Sequence, residues 1–174
     1  IFCILLFFLY SCQRKKGESV FIPSTELQPL TLGMLPTLDG LPFHIAKAQG
    51  IYDSLGLDLT ILSFNSAYDR DAAFQFKSLD GMITDYPSAV TLQAVHHTDL
   101  GIILKHDGYF CFIVSKESGI NQLKELKEKN IAVSHNTIIE YATGQLLNKA
   151  GISQAEVNKP EIAQLPLRLQ MLQY

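Results

Sequence analysis

Little in this chain points to reactive or metal chemistry. Its three cysteines, Cys3, Cys12 and Cys111, are scattered, with neither metal-ligand spacing nor a disulfide framework. Cys111 stands among Phe110, Phe112 and Ile113 and reads as a buried thiol in a strand. His96 and His97 are adjacent rather than four apart, so one helical face cannot offer both to a metal. There is no Ser/His/Asp nucleophile set and no glycine-rich phosphate loop, so no catalytic residue is assigned and no cofactor is implied. Positive charge is also short: 14 Lys and Arg stand against 17 Asp and Glu, which excludes the basic signature of nucleic-acid binding. The lysines between 124 and 129 read as one exposed amphipathic face. No internal repeat and no low-complexity tract occurs.

What is present begins with an apolar run, residues 1–10, too short for the ~20 residues of a spanning helix but of signal-peptide length. It stops at Leu9-Tyr10-Ser11-Cys12, before polar Gln13-Arg14-Lys15-Lys16. That junction resembles a bacterial lipobox, which implies a signal peptide at 1–11 and lipid on Cys12. The competing reading is a buried strand or a plain secretory signal. With Gly17, Pro23, Ser24 and Pro29, residues 12–29 then form a flexible tether, and the protein is expected at the cell envelope, lipid-anchored to a membrane surface. The chain of 174 residues has no initiator Met and ends at Tyr174 inside a helical pattern from Leu167, so a fragment of a longer protein is expected.

From residue 30 the pattern alternates. Residues 30–35 read as an apolar strand covered on both faces, and Pro42 opens a helix to about Gln49, closed by Gly50. Residues 57–61 alternate as a half-covered strand. Ser66 and Asp69 start a helix over 68–77 that carries Ala72, Ala73 and Phe76 inward. Then follow a strand at 81–84, a helix at 87–97 and a strand at 101–104. This β-α-β-α-β-α-β order predicts an α/β fold with a mostly parallel sheet. A turn at His106-Asp107-Gly108 leads into a β-rich run, 109–115. A charged helix capped by Asn121 (122–129), a strand (131–133), a helix boxed by Thr137 and Glu140, a short helix capped by Ser153 and Glu156, and a strand (161–165) complete a second set. The expected division is a first lobe at 30–106 and a second, incomplete lobe at 107–174, with the hinge near 107–109.

Three strand-to-helix corners, at 37–43, 84–89 and 134–140, can face one cleft at a carboxyl edge, where open α/β sheets bind ligands. Asp39 and Asp85 there can each receive an amine, amidine or hydroxyl, or simply cap the next helix. Two acids disfavour a bare anion such as nitrate and suit a zwitterion or a nitrogen heterocycle. Pro42 and Ser88 belong to the two helix starts. Tyr86 and Tyr109 can stack on a flat solute or serve as packing. His44 can donate a bond or face solvent. Ser134, Asn136 and Thr137 can seat a carboxylate, sulfonate or phosphate on free backbone N–H groups, or only cap the helix.

An ordered series of short matches carries a resemblance over roughly residues 30–174. It comprises Leu32-Gly33-Met34-Leu35-Pro36, Ala46-Lys47-Ala48-Gln49-Gly50-Ile51-Tyr52, Leu55-Gly56-Leu57-Asp58-Leu59 and Leu79-Asp80-Gly81-Met82-Ile83-Thr84-Asp85. Ser118-Gly119-Ile120, Leu123-Lys124-Glu125-Leu126-Lys127, Ile131-Ala132-Val133 and Leu165-Pro166 continue it. The series resembles the nitrate/sulfonate/taurine-type and thiamine-precursor-type solute-binding proteins of ABC importers, which are type II periplasmic binding proteins. The resemblance implies two α/β lobes joined by a strand hinge, solute in the cleft, delivery to a permease with its ATPase, and a later return of the chain to the first lobe. The alternative is an enzyme on the same scaffold, similar to the pyrimidine-precursor synthases of thiamine biosynthesis. That branch has a reactive His near the start of the helix after the third strand, and here that helix has no His before His96.

Overall fold

The computed structural model of the chain describes residues 29–173. The apolar run at 1–10, the junction at Cys12 and all but the last residue of the expected tether lie outside the described residues. Among the described residues no helix is long and apolar enough to cross a membrane.

The first half is built on β1 (Leu30–Met34), flanked by β2 (Leu59–Ser63) and β3 (Gly81–Met82) in the order β2-β1-β3. Both pairs are parallel, with Leu30 opposite Leu59 and Leu32 opposite Gly81. Parallel neighbours need crossovers, which α1 (Leu41–Ala48), α2 (Ile51–Leu55) and α3 (Ala67–Gln75) provide; α4 (Tyr86–Ala94) follows β3. Gly50, at φ 66, takes the left-handed turn between α1 and α2 that a side chain would oppose. Gly33 lets β1 lie against Leu79, which a Cβ there would strike. Met34, Leu79, Ala89 and Leu92 are buried beneath these elements.

The second half pairs residues 130–133 with 158–161 as parallel bridges, Asn130 opposite Asn158 and Val133 opposite Glu161. Helix α5 (Ile138–Lys149) links them, and Leu126, Ile131, Val133, Leu147 and Ile152 form the core under it. A last helix, α6 (Leu165–Gln170), returns toward the first half: the Leu165 amide donates to the Asn65 carbonyl at 3.0 Å, just after β2.

Several expectations are corrected. The strands expected at 101–104 and 109–115 do not form; Ile103 and Tyr109 are fully exposed, and Cys111 is exposed rather than buried. Apolar periodicity sets faces, but a strand also needs a partner for its ladder, and none of the described residues supplies one here. Strand β1 is exposed at Leu30 and covered only toward Gly33 and Met34. Strand β2 begins two residues later than expected. Phe76 points outward because α3 ends at Gln75 and Lys77 turns to φ 56. Helix α4 stops at Ala94, short of His97. The charged helix after Asn121 is a single 3₁₀ turn, Leu123–Leu126. Of the strand at 161–165 only Glu161 is bridged, since Leu165 already opens α6.

Candidate functional site

The carboxyl ends of β1, β2 and β3 lie side by side, so the loops after them share one edge of the sheet. After β1, a 3₁₀ turn, Leu38–Gly40, holds Asp39. Neither that turn nor α1 has a side-chain cap, and the Oδ1 of Asp39 is buried without a partner. Pro42 sits in the first turn of α1, exposed, as is His44.

After β3 comes the corner with the most defined geometry. Asp85 is the N-cap of α4, accepting from the Ser88 amide at 2.9 Å. Proline in the first turn of α4 needs no N–H there. Tyr86 is exposed, whereas Ser88 is buried beneath the corner. Arg70 of α3, 2% exposed, supports this corner from below. It donates to the Ile83 carbonyl at 3.0 Å and to the Thr84 hydroxyl at 2.8 Å. It also grips Oδ1 of Asp71 through Nε at 2.9 Å and Nη2 at 2.7 Å. Burial pushes the Asp71 carboxyl above its ordinary range, against the opposing pull of the Arg70 charge.

In the second half, Thr137 caps α5, accepting from the Ile139 amide at 3.2 Å and donating to the Ser134 carbonyl at 2.8 Å. Ser134 is buried and donates to the Ala163 carbonyl. Asn136 takes a left-handed φ of 59. The chain's own carboxylates occupy part of the donor set. Glu140 accepts the Asn136 amide at 2.9 Å, and Glu161 accepts the His135 amide at 2.6 Å. The His135 ring lies between them, 2.8 Å from Glu140 through Nδ1 and 3.6 Å from Glu161 through Nε2. The Asn136 amide, then His135, hold the Glu140 carboxyl below its ordinary range. So Glu140 does not close the expected box onto Thr137; it reaches one residue further back.

An open cleft of about 380 Å³ separates the start of α4 from α5. Pro87 and Thr91 line one wall; Asn136, Thr137, Glu140 and Gly144 line the other. Of the residues expected at a site, Asn136 and Thr137 face this cleft, while Asp39, Pro42, Asp85, Tyr86, Ser88, Tyr109 and Ser134 are not among its lining residues. Tyr109 stands in the segment without helix or strand, wholly exposed.

Sequence reasoning missed Arg70, His135 and Arg168. Arg168 lies half-buried on α6 with its Nε unpartnered; burial lowers its pKa, and the Glu161 charge opposes that. A signal for Arg70 existed only in hindsight of the fold, because its partners are 13 and 14 residues on.

Comparison with solved structures gives the same fold. The alkanesulfonate-binding protein SsuA from Xanthomonas axonopodis pv. citri, bound to MOPS, superposes with a TM-score of 0.59 at 17% identity, over 84% of this chain and 51% of that one. The periplasmic aliphatic sulphonate binding protein SsuA from Escherichia coli gives 0.56 at 14% identity, over 84% and 50%. PhnD1 from Prochlorococcus marinus (MIT 9301), in complex with methylphosphonate, gives 0.54 at 14% identity, over 83% and 59%. The chain thus spans about half the length of the SsuA structures it matches. No curated protein matches the sequence. The family described as NMT1/THI5 like matches residues 38–172, most of the sequence, and the chain belongs to that family.

Proposed function

We propose that this chain belongs to an extracytoplasmic solute receptor of an ABC importer, which grips a small polar solute between two lobes and presents it to a permease and its ATPase. The observation that carries the reading is the cleft between the start of α4 and α5, the kind of place where α/β folds seat ligands. The lobes are residues 30–106 and 107–174. Asn136 and Thr137 line one wall, and the start of α4, capped by Asp85, forms the other; we assign to the same solute site Asp39, Pro42, Tyr86, Ser88, Tyr109 and Ser134, which stand outside the lining of the open cleft. That solved relatives of this fold bind sulfonates and a phosphonate supports receptor over enzyme.

The solute is sulfonate- or taurine-like, or a pyrimidine of the thiamine-precursor kind. Two features favour a solute with both donors and acceptors. Asp39, in the turn after β1, carries a buried acceptor and Arg168, on α6, a buried donor, each without a partner and each outside the lining of the open cleft, and desolvated charge needs a partner. At the start of α5, Glu140 and Glu161 already hold two amides that a simple anion would use.

The test is calorimetric titration of the full-length protein with four probes: taurine, MOPS, methylphosphonate and the aminopyrimidine alcohol from which thiamine is built. Taurine or the aminopyrimidine is expected to bind, and Asp85→Asn to weaken it roughly ten- to a hundredfold, the cost of a charge-assisted bond. Binding of none of the four, or release of a chemically altered probe, overturns the reading; the latter points to the enzyme alternative. A lipid anchor on Cys12 predicts that Cys12→Ala moves the full-length protein out of the membrane fraction or leaves it unprocessed. Unchanged membrane association with normal processing rejects the anchor.

A further inference from the structure

Among the described residues no charged side chain is as buried as Arg70. Its guanidinium uses four of the five N–H groups such a fork carries. Two of those bonds close on the neighbouring Asp71. The other two leave α3 altogether, reaching the Ile83 carbonyl and the Thr84 hydroxyl in the loop between β3 and α4.

That loop has few other ties. Strand β3 is two residues long, and its ladder to β1 ends where the Ile83 amide donates to the Gly33 carbonyl at 2.9 Å. Past that point the Ser88 and Ala89 amides bond to Asp85 within the α4 start, and the Ser88 side chain reaches back to Asp71 on α3. So between the last ladder bond and the cap, Arg70 is what joins the loop to α3 among the described residues. A buried ion pair is a poor way to gain stability, since well-packed apolar residues do as well or better. An apolar side chain in this place would fill the space under α3. It would not fix a carbonyl and a hydroxyl in direction, as a planar fork does. The direction matters because Asp85 is the next residue, and its carboxylate is aimed by the same stretch of backbone, already accepting the Ser88 amide at 2.9 Å.

We propose that Arg70 is the positioning residue of the solute site: by holding the Ile83 carbonyl and the Thr84 hydroxyl it sets how Asp85 presents its carboxylate, without itself touching solute. This rests on the reading that Asp85 is a solute ligand. Lysine cannot replace it, because a single ammonium lacks the fork that spans both acceptors and Asp71.

Two measurements on the full-length protein test the inference. The first needs no ligand. Hydrogen exchange followed by mass spectrometry should show Arg70→Lys speeding exchange in peptides covering residues 83–88 by roughly tenfold, with peptides covering β1 and β2 unchanged. The second is a double-mutant cycle, titrated with whichever of the four probes the wild type binds most tightly. Arg70→Lys should weaken binding roughly tenfold, and the double variant with Asp85→Asn should be no weaker than Asp85→Asn alone, within about twofold. Thr84→Val, which removes one arm of the clamp and leaves the buried pair intact, should act in the same direction by a smaller factor, and it stands in if Arg70→Lys does not fold.

Losses that multiply in the double variant would show that Arg70 acts on the fold in general, and would overturn the inference while leaving Asp85 in the site. No loss for Asp85→Asn alone would remove the site reading instead. Unchanged exchange at 83–88 overturns the positioning role whatever the probes do, and decides the matter if none of them binds.

Discussion

Glu140 holds two donors at once at the start of α5. One carboxylate oxygen takes the amide of Asn136, whose left-handed backbone turns it inward, and the other takes the His135 ring. Lys159 stands 3.9 Å away. Both donors favour the ionised form, so the carboxyl sits below its ordinary range. A pKa lowered by folding adds stability that is present above the ordinary Glu range and is lost as pH falls through the folded value. Glu140→Gln should therefore cost about 1 kcal/mol near neutral pH, a modest figure because the group is partly exposed to water. The difference from wild type should vanish in acid. Urea unfolding of both proteins between about pH 7 and about pH 3 checks this, and a constant gap across that range would contradict it. The corner at Asp85 was legible in the sequence because its chemistry is local: an acid three residues before the amide it caps, with proline between. Arg70, His135 and Glu161 were not, because their partners include residues that only the fold brings near. His135 and Glu161 are 26 apart along the chain.

Helices whose start carries capping chemistry were the most readable elements. Ser66 and Asp69 marked the start of α3, and the structure has the Ser66 Oγ accepting the Asp69 amide at 3.1 Å while donating to its carboxylate at 2.6 Å. Ser66 is buried, so an alanine there leaves the Asp69 amide without its acceptor, while the exposed Asp69 carboxylate turns to water. Ser66→Ala should destabilise the protein by about 1–2 kcal/mol. Denaturant unfolding measures it, and a change under about 0.3 kcal/mol would mean the helix start is held by packing instead. Strands were harder to read. Residues 59–63 and 101–104 look alike as apolar runs, but the first lies beside β1 and the second beside nothing among the described residues. Which run becomes a strand depends on a partner elsewhere in the chain, and composition carries no record of it. Gly33 shows the same limit: the sequence marks a glycine in a strand, and only the packing reveals Leu79 against it.

At the scale of the whole molecule the two halves are built alike, each a parallel pairing crossed by helices, with the starts of α4 and α5 facing across the cleft. The bond from Leu165 to the Asn65 carbonyl ties α6 to the loop after β2, so the halves already touch at one edge of that arrangement. On the proposed receptor reading, a solute seated between them gains contacts with both walls only when the walls approach. It can shift the open–closed balance only by its difference in affinity for the two states. If each wall contributes one or two charge-assisted bonds, that difference is roughly 2–5 kcal/mol, enough to carry a largely open population to a largely closed one. Small-angle X-ray scattering on the full-length protein should then show a smaller radius of gyration with saturating probe. Asp85→Asn should need more probe to reach the same closed value, because it weakens one wall without changing how the halves meet. Saturated binding with no change in radius would place the solute on one half alone, and the cleft between α4 and α5 would then be a groove in the surface, not a mouth that closes.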